Sequence, residues 1–526
     1  MKLRYYQTAA VESIYAHFTH KRGNPILALP TGTGKSLIIA GLLQGIFENY
    51  PTQRIVIASH VKEILEQNTE KLLKLWPTAP AGIYSASVGR KEVAPITFAG
   101  IQSVAKHADK FGKIDLLMID ECHTVGQTAN TQYINFISAL KTINPCMKVI
   151  GLTATPYRLG LGMLTDGGIF DDICFDLTER HAFNRLVAEG WLAPLVSKQT
   201  VTALDVSEVG KAGGEYIQSE LQAAVDKAPI TAAALKEMLS LAQDRQHWLI
   251  FAAGIKHAEH ISEMLNLMGI PSAVVIGEMP KIEREHVLQK FKSGEYRAVV
   301  NNNVLTTGFD FPGIDLIGML RPTSSPGLWV QMLGRGTRPA DGKKNCLVLD
   351  FAGNTRRLGP INDPVLPRKK GQGAGGSAPV RLCPECSTYS HASARVCENC
   401  GYEFPRIIKI DPFASLQSVM TADLPQIVEF DVTRIEFLRH KKLGRPDSLR
   451  VTYICGLRRF EEWICLEHAG YAGVKARAWW EERADPPAPS TVTEFFDILP
   501  KITLKAPVRI RVWINTKHPE IMGYDF

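Results

Sequence analysis

Residues 25–36 read Pro25-Ile26-Leu27-Ala28-Leu29-Pro30-Thr31-Gly32-Thr33-Gly34-Lys35-Ser36, and Leu37-Ile38-Ile39 follow. A short apolar run of strand type gives way to a glycine-containing turn and then to a helix-forming segment. That is the context a phosphate-binding loop requires. Gly32 and Gly34 let the backbone turn tightly enough for its N–H groups to face phosphate oxygens at a helix N-terminus. Lys35 would then reach the β- and γ-phosphates of ATP, the Ser36 hydroxyl would ligate Mg²⁺, and Pro30, Thr31 and Thr33 complete the loop. Leu29 departs from the generic pattern, which has a glycine there. The plainer alternative is a turn without a ligand.

A second string sharpens the choice. Leu116-Leu117-Met118-Ile119-Asp120-Glu121-Cys122-His123 is an apolar strand that ends in two acids. A buried strand has no packing reason to end so, whereas a metal–nucleotide site has two: Asp120 anchors Mg²⁺, and Glu121 polarises the water that attacks the γ-phosphate. An N-cap of the following helix would need only one acid.

Around these strings, short β-branched runs alternate with amphipathic segments. Strands are expected at Pro25–Leu29, Arg54–Ser59, Ile96–Ala99, Leu116–Ile119 and Val149–Leu152, with a helix over Lys62–Leu75. The pattern repeats at Trp248–Ala252, Ser272–Ile276, Ala298–Asn301, Leu316–Met319 and Cys346–Leu349, with helices over Ile255–Met268 and Ile282–Lys292. Such alternation means parallel sheets, hence an α/β fold of two tandem lobes. The 526 residues allow three or four domains at ~150 residues each. Lobe 1 is expected over 1–195, an interlobe excursion over 196–235 and lobe 2 over 236–357. A flexible basic linker is expected over 358–380, with Arg368-Lys369-Lys370 and a glycine-rich run, then a cysteine module over 381–405 and a basic β-rich domain over 406–526.

The two strings resemble motifs I and II of superfamily 2 helicases and translocases, in the DExH form, and the other family motifs follow in order. Gln7, within Leu3-Arg4-Tyr5-Tyr6-Gln7, is similar to the adenine-reading glutamine ahead of motif I. Ser59-His60-Val61-Lys62-Glu63, Gln102-Ser103 and Thr153-Ala154-Thr155 resemble motif Ia, the next nucleic-acid contact segment and motif III. In the second lobe, Leu249-Ile250-Phe251-Ala252 resembles motif IV and Thr306-Thr307-Gly308-Phe309-Asp310 resembles motif V. Gln331-Met332-Leu333-Gly334-Arg335-Gly336-Thr337-Arg338 matches motif VI. The resemblance implies two RecA-like lobes with ATP between them. Arg4, Gln7, Lys35, Ser36, Asp120 and Glu121 would act from the first lobe, and Gly308, Asp310, Gln331, Arg335 and Arg338 from the second. Arg335 and Arg338 are expected one helical turn apart, presented together to a phosphate.

Cys383-x₂-Cys386-x₁₀-Cys397-x₂-Cys400 pairs two CxxC knuckles. Four soft thiolates close a tetrahedron around Zn²⁺ at ~2.3 Å per bond, so a structural zinc ribbon is expected, with a single iron in the same cage as the rival. The other six cysteines are scattered and read as buried thiols.

The chain carries 60 Lys+Arg against 53 Asp+Glu, a net +7. Residues 356–526 hold 25 basic and 20 acidic residues, so +5 of the surplus is C-terminal. Trp463, Trp479, Trp480 and Trp513 lie in the same region. Aromatics beside basic residues suit single-stranded nucleic acid; a small β core with a solvated basic face is the plainer alternative. Motor, ribbon and basic tail together resemble the RadD group of bacterial DNA-repair helicases or a phage relative. That likeness implies a DNA-dependent ATPase working at single-stranded or branched DNA in repair or recombination, with a single-strand-binding or recombination protein as a further partner. RNA is the alternative substrate, and an ATP-switched binding platform the alternative class. No apolar run approaches the ~18 residues of a membrane span. Met1–Ala10 shows no secretory h-region, so the cytoplasm of a bacterial or phage-infected cell is expected.

Overall fold

The computed structural model describes residues 3–126, 131–158, 162–365, 380–385, 389–391, 396–397, 400–403, 426–441, 446–456, 458–468, 470–485, 487–516 and 519–526. The expected alternation appears as two open sheets. The first runs, edge to edge, Asp172–Asp176, Pro25–Ala28, Lys148–Thr153, Leu116–Asp120, Ile55–Ser59, Ile96–Gly100, Ala81–Ser85 and Arg90–Lys91. All its pairings are parallel except that of the last, two-residue strand. Its central strands are buried along their whole length, as a sheet covered by crossover helices on both faces must be.

The second sheet runs Leu195–Lys198, Cys346–Asp350, Leu316–Leu320, Trp248–Ala252, Ala298–Asn301 and Ser272–Val275, parallel throughout. Residues 196–235 were expected as an excursion between lobes, but the structure places them in the second lobe. Leu195–Lys198 is an edge strand paired to Cys346–Asp350, and Leu204, Tyr216, Leu221 and Val225 join the core of that lobe. Its polar surface hides this role, because only every third or fourth residue faces inward. A continuous apolar cluster passes from Leu27 and Ile57 of the first lobe to Leu249, Trp329 and Leu333 of the second.

The C-terminal region forms two three-stranded antiparallel sheets. One orders Ile427–Asp431, Arg509–Trp513 and Glu520–Asp525; the other orders Arg434–His440, Ser448–Cys455 and Arg458–Ile464. Helices Tyr471–Glu481 and Val492–Ile498 close a core of Val451, Tyr453, Trp479, Trp480, Phe495 and Ile510. This corrects the stacking role expected of the four tryptophans: Trp479, Trp480 and Trp513 are buried, and Trp463 alone of them is exposed, at 48%. The glycine-rich run and Cys386 lie outside the described residues.

Candidate active site between the two lobes

The phosphate loop sits where the sequence puts it, between strand Pro25–Ala28 and helix Lys35–Asn49. Gly34 is its sterically demanding position. Its φ is +81°, and a Cβ there would stand 2.6 Å from Gln7 Nε2. Gln7, 1% exposed, donates through Nε2 to the Thr33 carbonyl at 2.9 Å, while its Oε1 accepts from the Arg4 N–H at 2.9 Å. The helix Tyr5–His20 is thereby locked onto the loop, and Arg4 lies 4.2 Å over the Trp191 ring. Lys35 Nζ donates to the Leu29 carbonyl at 3.3 Å and faces Glu121 Oε1 at 3.6 Å. Thr33 is buried, its hydroxyl turned to the Pro30 carbonyl at 2.7 Å, and so supports the loop from beneath.

Asp120 ends its strand at 3% exposure. Its carboxylate accepts from Asn68 Nδ2 and from the Glu121 N–H, both at 2.9 Å. Burial and the charge of Glu121 push its pKa up to about 6. Burial works against Glu121 too, but the positive charges of Lys35 and Arg335 outweigh it and hold that carboxyl low. Two adjacent acids thus divide their roles by environment. Glu121 has a φ of +53°, a left-handed conformation that a non-glycine residue rarely adopts.

From the second lobe, Arg335 donates to the Thr306 carbonyl at 2.6 and 3.0 Å and to the Phe309 carbonyl at 2.5 Å, and Arg338 pairs with Asp310 at 2.8 Å. The helix expected to carry both arginines ends at Leu333, so both reach the cleft from the following turn. A Cβ at Gly336 would come within 2.6 Å of Cys346 Sγ, so this turn packs tightly against the sheet. Burial and the neighbouring Arg338 lower the Arg335 pKa to about 9. Gly308, at φ +72°, allows motif V to approach Glu63 of the first lobe, and its carbonyl accepts from Gln67.

Together these groups enclose a cavity of about 330 Å³ lined by Arg4, Gln7, Thr31, Gly32, Gly34, Lys35, Ser36, Asp120, Glu121, Gly308, Asp310, Arg335 and Arg338. Pro30 faces a neighbouring cavity instead. A triphosphate with Mg²⁺ suits the donor set. Among the described residues, Arg338 Nη1 and Glu121 Oε2 are buried at this cleft with no hydrogen-bond partner, and both glycines leave room that a side chain would fill.

Gln331 does not line the cavity. Its Nε2 stands 3.0 Å from His123 Nε2, and His123 Nδ1 stands 2.9 Å from Thr153 Oγ1. Gln331 can only donate there, so His123 carries its proton on Nδ1 and gives it to Thr153. Burial, only partly offset by Glu121, lowers the His123 pKa to about 4, which keeps the ring neutral. Motifs II, III and VI are joined by this relay. His123 and Asn68 are site residues that the motif reading leaves without a role. Asn68 was findable, as a polar residue on the buried stripe Ile64, Leu65, Leu72 of its helix. His60 and Gln102, expected to contact nucleic acid, follow neighbouring parallel strands, and Gln102 Nε2 donates to the His60 carbonyl at 3.4 Å.

In the cysteine module, the Sγ atoms of Cys383, Cys397 and Cys400 lie within 4.8 Å of one another, with Cys383 and Cys400 3.5 Å apart. Zn–S bonds of ~2.3 Å in a tetrahedron put sulfurs about 3.8 Å apart, so three of the four expected ligands fit such an ion.

Residues 1–158 match the family model of the type III restriction enzyme res subunit, and residues 231–340 match that of the helicase conserved C-terminal domain. A Saccharomyces cerevisiae protein named as the ATP-dependent helicase IRC3 is 26% identical over 69% of this chain; the chain spans 53% of its length, about half. The DNA 3'-5' translocase XPB2 of Sulfurisphaera tokodaii is 25% identical over 67% of this chain and 81% of that protein. Among solved structures, a fragment described as an HsdR subunit of a type I restriction enzyme from Vibrio vulnificus superposes with a TM-score of 0.52 at 20% identity. That match covers 70% of this chain and 68% of that one, and it shows the shared fold.

Proposed function

From the premise that the chain carries the paired domains of a superfamily 2 helicase, we propose that it is an ATP-driven motor on DNA, acting at repair or recombination intermediates. The observation that carries the reading is the single cleft where Lys35, Asp120 and Glu121 from one sheet meet Arg335 and Arg338 from the other. Ser36 and Asp120 would hold Mg²⁺, which would supply positive charge beside the phosphate oxygens. Lys35 and the loop N–H groups bind the phosphates, Gln7 and Arg4 hold the base end, and Glu121 takes the proton of the attacking water. Arg338 exchanges Asp310 for the γ-phosphate, and Arg335 gives up a backbone carbonyl. Arginines so placed can be worth ~10³–10⁵ in rate. The groups of both lobes are satisfied together only when the cleft is closed, so loss of the γ-phosphate favours opening. His60, Gln102 and the loops of motifs IV and V carry that opening to the strand.

DNA rather than RNA is favoured by the names of the relatives, one a DNA translocase and another a restriction-enzyme subunit. We assign the cysteine module to zinc, held by Cys383, Cys386, Cys397 and Cys400. Turnover of ATP is expected to rise with single-stranded or branched DNA more than with RNA of equal length, and Lys35→Ala is expected to lower it about 10²–10³-fold. Undiminished turnover in that variant removes the ATPase assignment; stronger stimulation by RNA replaces DNA as the track.

A further inference from the structure

The sheet of strands Arg434–His440, Ser448–Cys455 and Arg458–Ile464 is sealed on one face by the C-terminal core. Its register sets the other face: Leu438, Arg450 and Trp463 stand directly opposite one another across the three strands and share one side. Leu438 is 47% and Trp463 48% exposed, although a sheet face turned to solvent is normally polar. The His440 ring lies edge-on 6.1 Å from Trp463, and Arg450 Nε is buried without a hydrogen-bond partner among the described residues.

We propose that this face is a stacking platform for single-stranded nucleic acid, separate from the strand contacts of the motor lobes. Trp463 offers an indole face to a base, Leu438 carries the next one, and Arg450 lies between them to meet the backbone. A single strand is the fitting occupant for two reasons. Every unpaired base has a face to stack, so an exposed ring in a cationic setting binds without reading sequence. The face also carries a surplus of positive charge for a polyanion: the register places Arg434, Arg450 and Arg459 on it against Glu436 and Glu461. Arg450 meets Glu461 only at 3.8 Å. The proposal rests on the motor reading for its role but not for its chemistry.

The test is fluorescence anisotropy of a labelled oligothymidine with the full-length protein at several salt concentrations, run beside an ATPase assay of the wild type with and without DNA. Trp463→Ala is expected to weaken binding about five- to 150-fold, the worth of one stacked base. Trp463→Phe should recover binding to within about threefold, since it restores a ring. Arg450→Gln should lower the salt slope by about one. Wild-type affinity in Trp463→Ala and Arg450→Gln overturns the platform and leaves the face to a protein partner. DNA-independent ATPase beside a loss of binding in Trp463→Ala overturns the motor reading and keeps the platform.

Discussion

At the scale of single residues, the site works by holding like chemistry in unlike surroundings. Asp120 and Glu121 are sequence neighbours, yet the strand buries one against Asn68 while the left-handed turn swings the other towards Lys35. Glu121→Gln keeps the shape and the hydrogen-bonding capacity but cannot take a proton. It is expected to bind a fluorescent ATP analogue as the wild type does and to turn ATP over about 10²–10⁴-fold more slowly; a normal steady-state rate would assign the base elsewhere. His257 shows a purely structural use of burial. Fully enclosed in the second lobe, it accepts the Ala253 N–H through Nδ1 at 3.3 Å, and burial lowers its pKa to about 4. Its contribution to stability is therefore complete above the ordinary histidine pKa of about 6.5. It is lost as pH falls from there towards 4, because the unfolded chain takes up a proton that the folded one refuses, a loss on the order of 3 kcal/mol. Amide exchange in helix Ile255–Leu267, corrected for its intrinsic rate, should quicken over that range in the wild type. The effect should vanish in His257→Gln.

At the scale of elements, legibility in the sequence followed the locality of the signal. Parallel strands buried on both faces are short apolar runs, so Trp248–Ala252 and Ala298–Asn301 are read to the residue and helix Lys62–Leu75 likewise. The strand Arg434–His440 was not legible. It carries charge on its solvent side, and its partner lies across a turn. Most residues named by the motifs line the cleft, with Pro30, Thr33 and Gln331 outside it, because the loops after strands such as Pro25–Ala28 and Leu116–Asp120 open there. The motifs did not tell that Arg335 would bond the Thr306 and Phe309 carbonyls of its own lobe, or that Gln331 would bond His123, a contact that needs both lobes in place. Asp172–Asp176 was missed for a similar reason: it earns its place as an edge strand only by pairing with Pro25–Ala28. In the cysteine module, the spacing anticipates the gathering of Cys383, Cys397 and Cys400. Cys383 is buried and lies 3.5 Å from Cys400, a distance suited to sulfurs sharing an ion. Elemental analysis of gently purified protein should find about one zinc per chain, and Cys383→Ser should lose most of it. Less than about half an equivalent in the wild type would contradict the ribbon, and stoichiometric iron would replace its metal.

At the scale of the whole molecule, the C-terminal domain is seated on the first lobe, on the side of the helix that carries Gln7. Glu520 of its last strand pairs with Arg185 at 2.5 Å and with His181 at 3.5 Å, and the His181 ring stacks on Trp513 at 5.5 Å. Arg477 reaches Glu12 on the helix Tyr5–His20 at 3.1 Å. A cavity of about 530 Å³ lies in this interface, walled by Tyr5 and Trp191 on one side and by Trp479 and Tyr524 on the other. Trp191 also carries Arg4 on its ring, so the seat of the domain touches a residue that lines the cleft between the lobes. A single half-buried ion pair of this kind is worth little by itself. Reversing one member is different, since it sets two like charges face to face. Glu520→Arg should therefore loosen the domain from the lobe, seen as faster proteolysis between them and a larger radius of gyration by small-angle scattering, with the lobes' own fold intact. Arg185→Glu should do the same, and the double variant Arg185→Glu with Glu520→Arg should restore the wild-type compactness, because the pair is remade with its charges exchanged. Recovery in the double variant requires the contact itself. If both single variants stay as compact as the wild type, the domain is held by the Arg477–Glu12 pair and the apolar walls of the cavity instead.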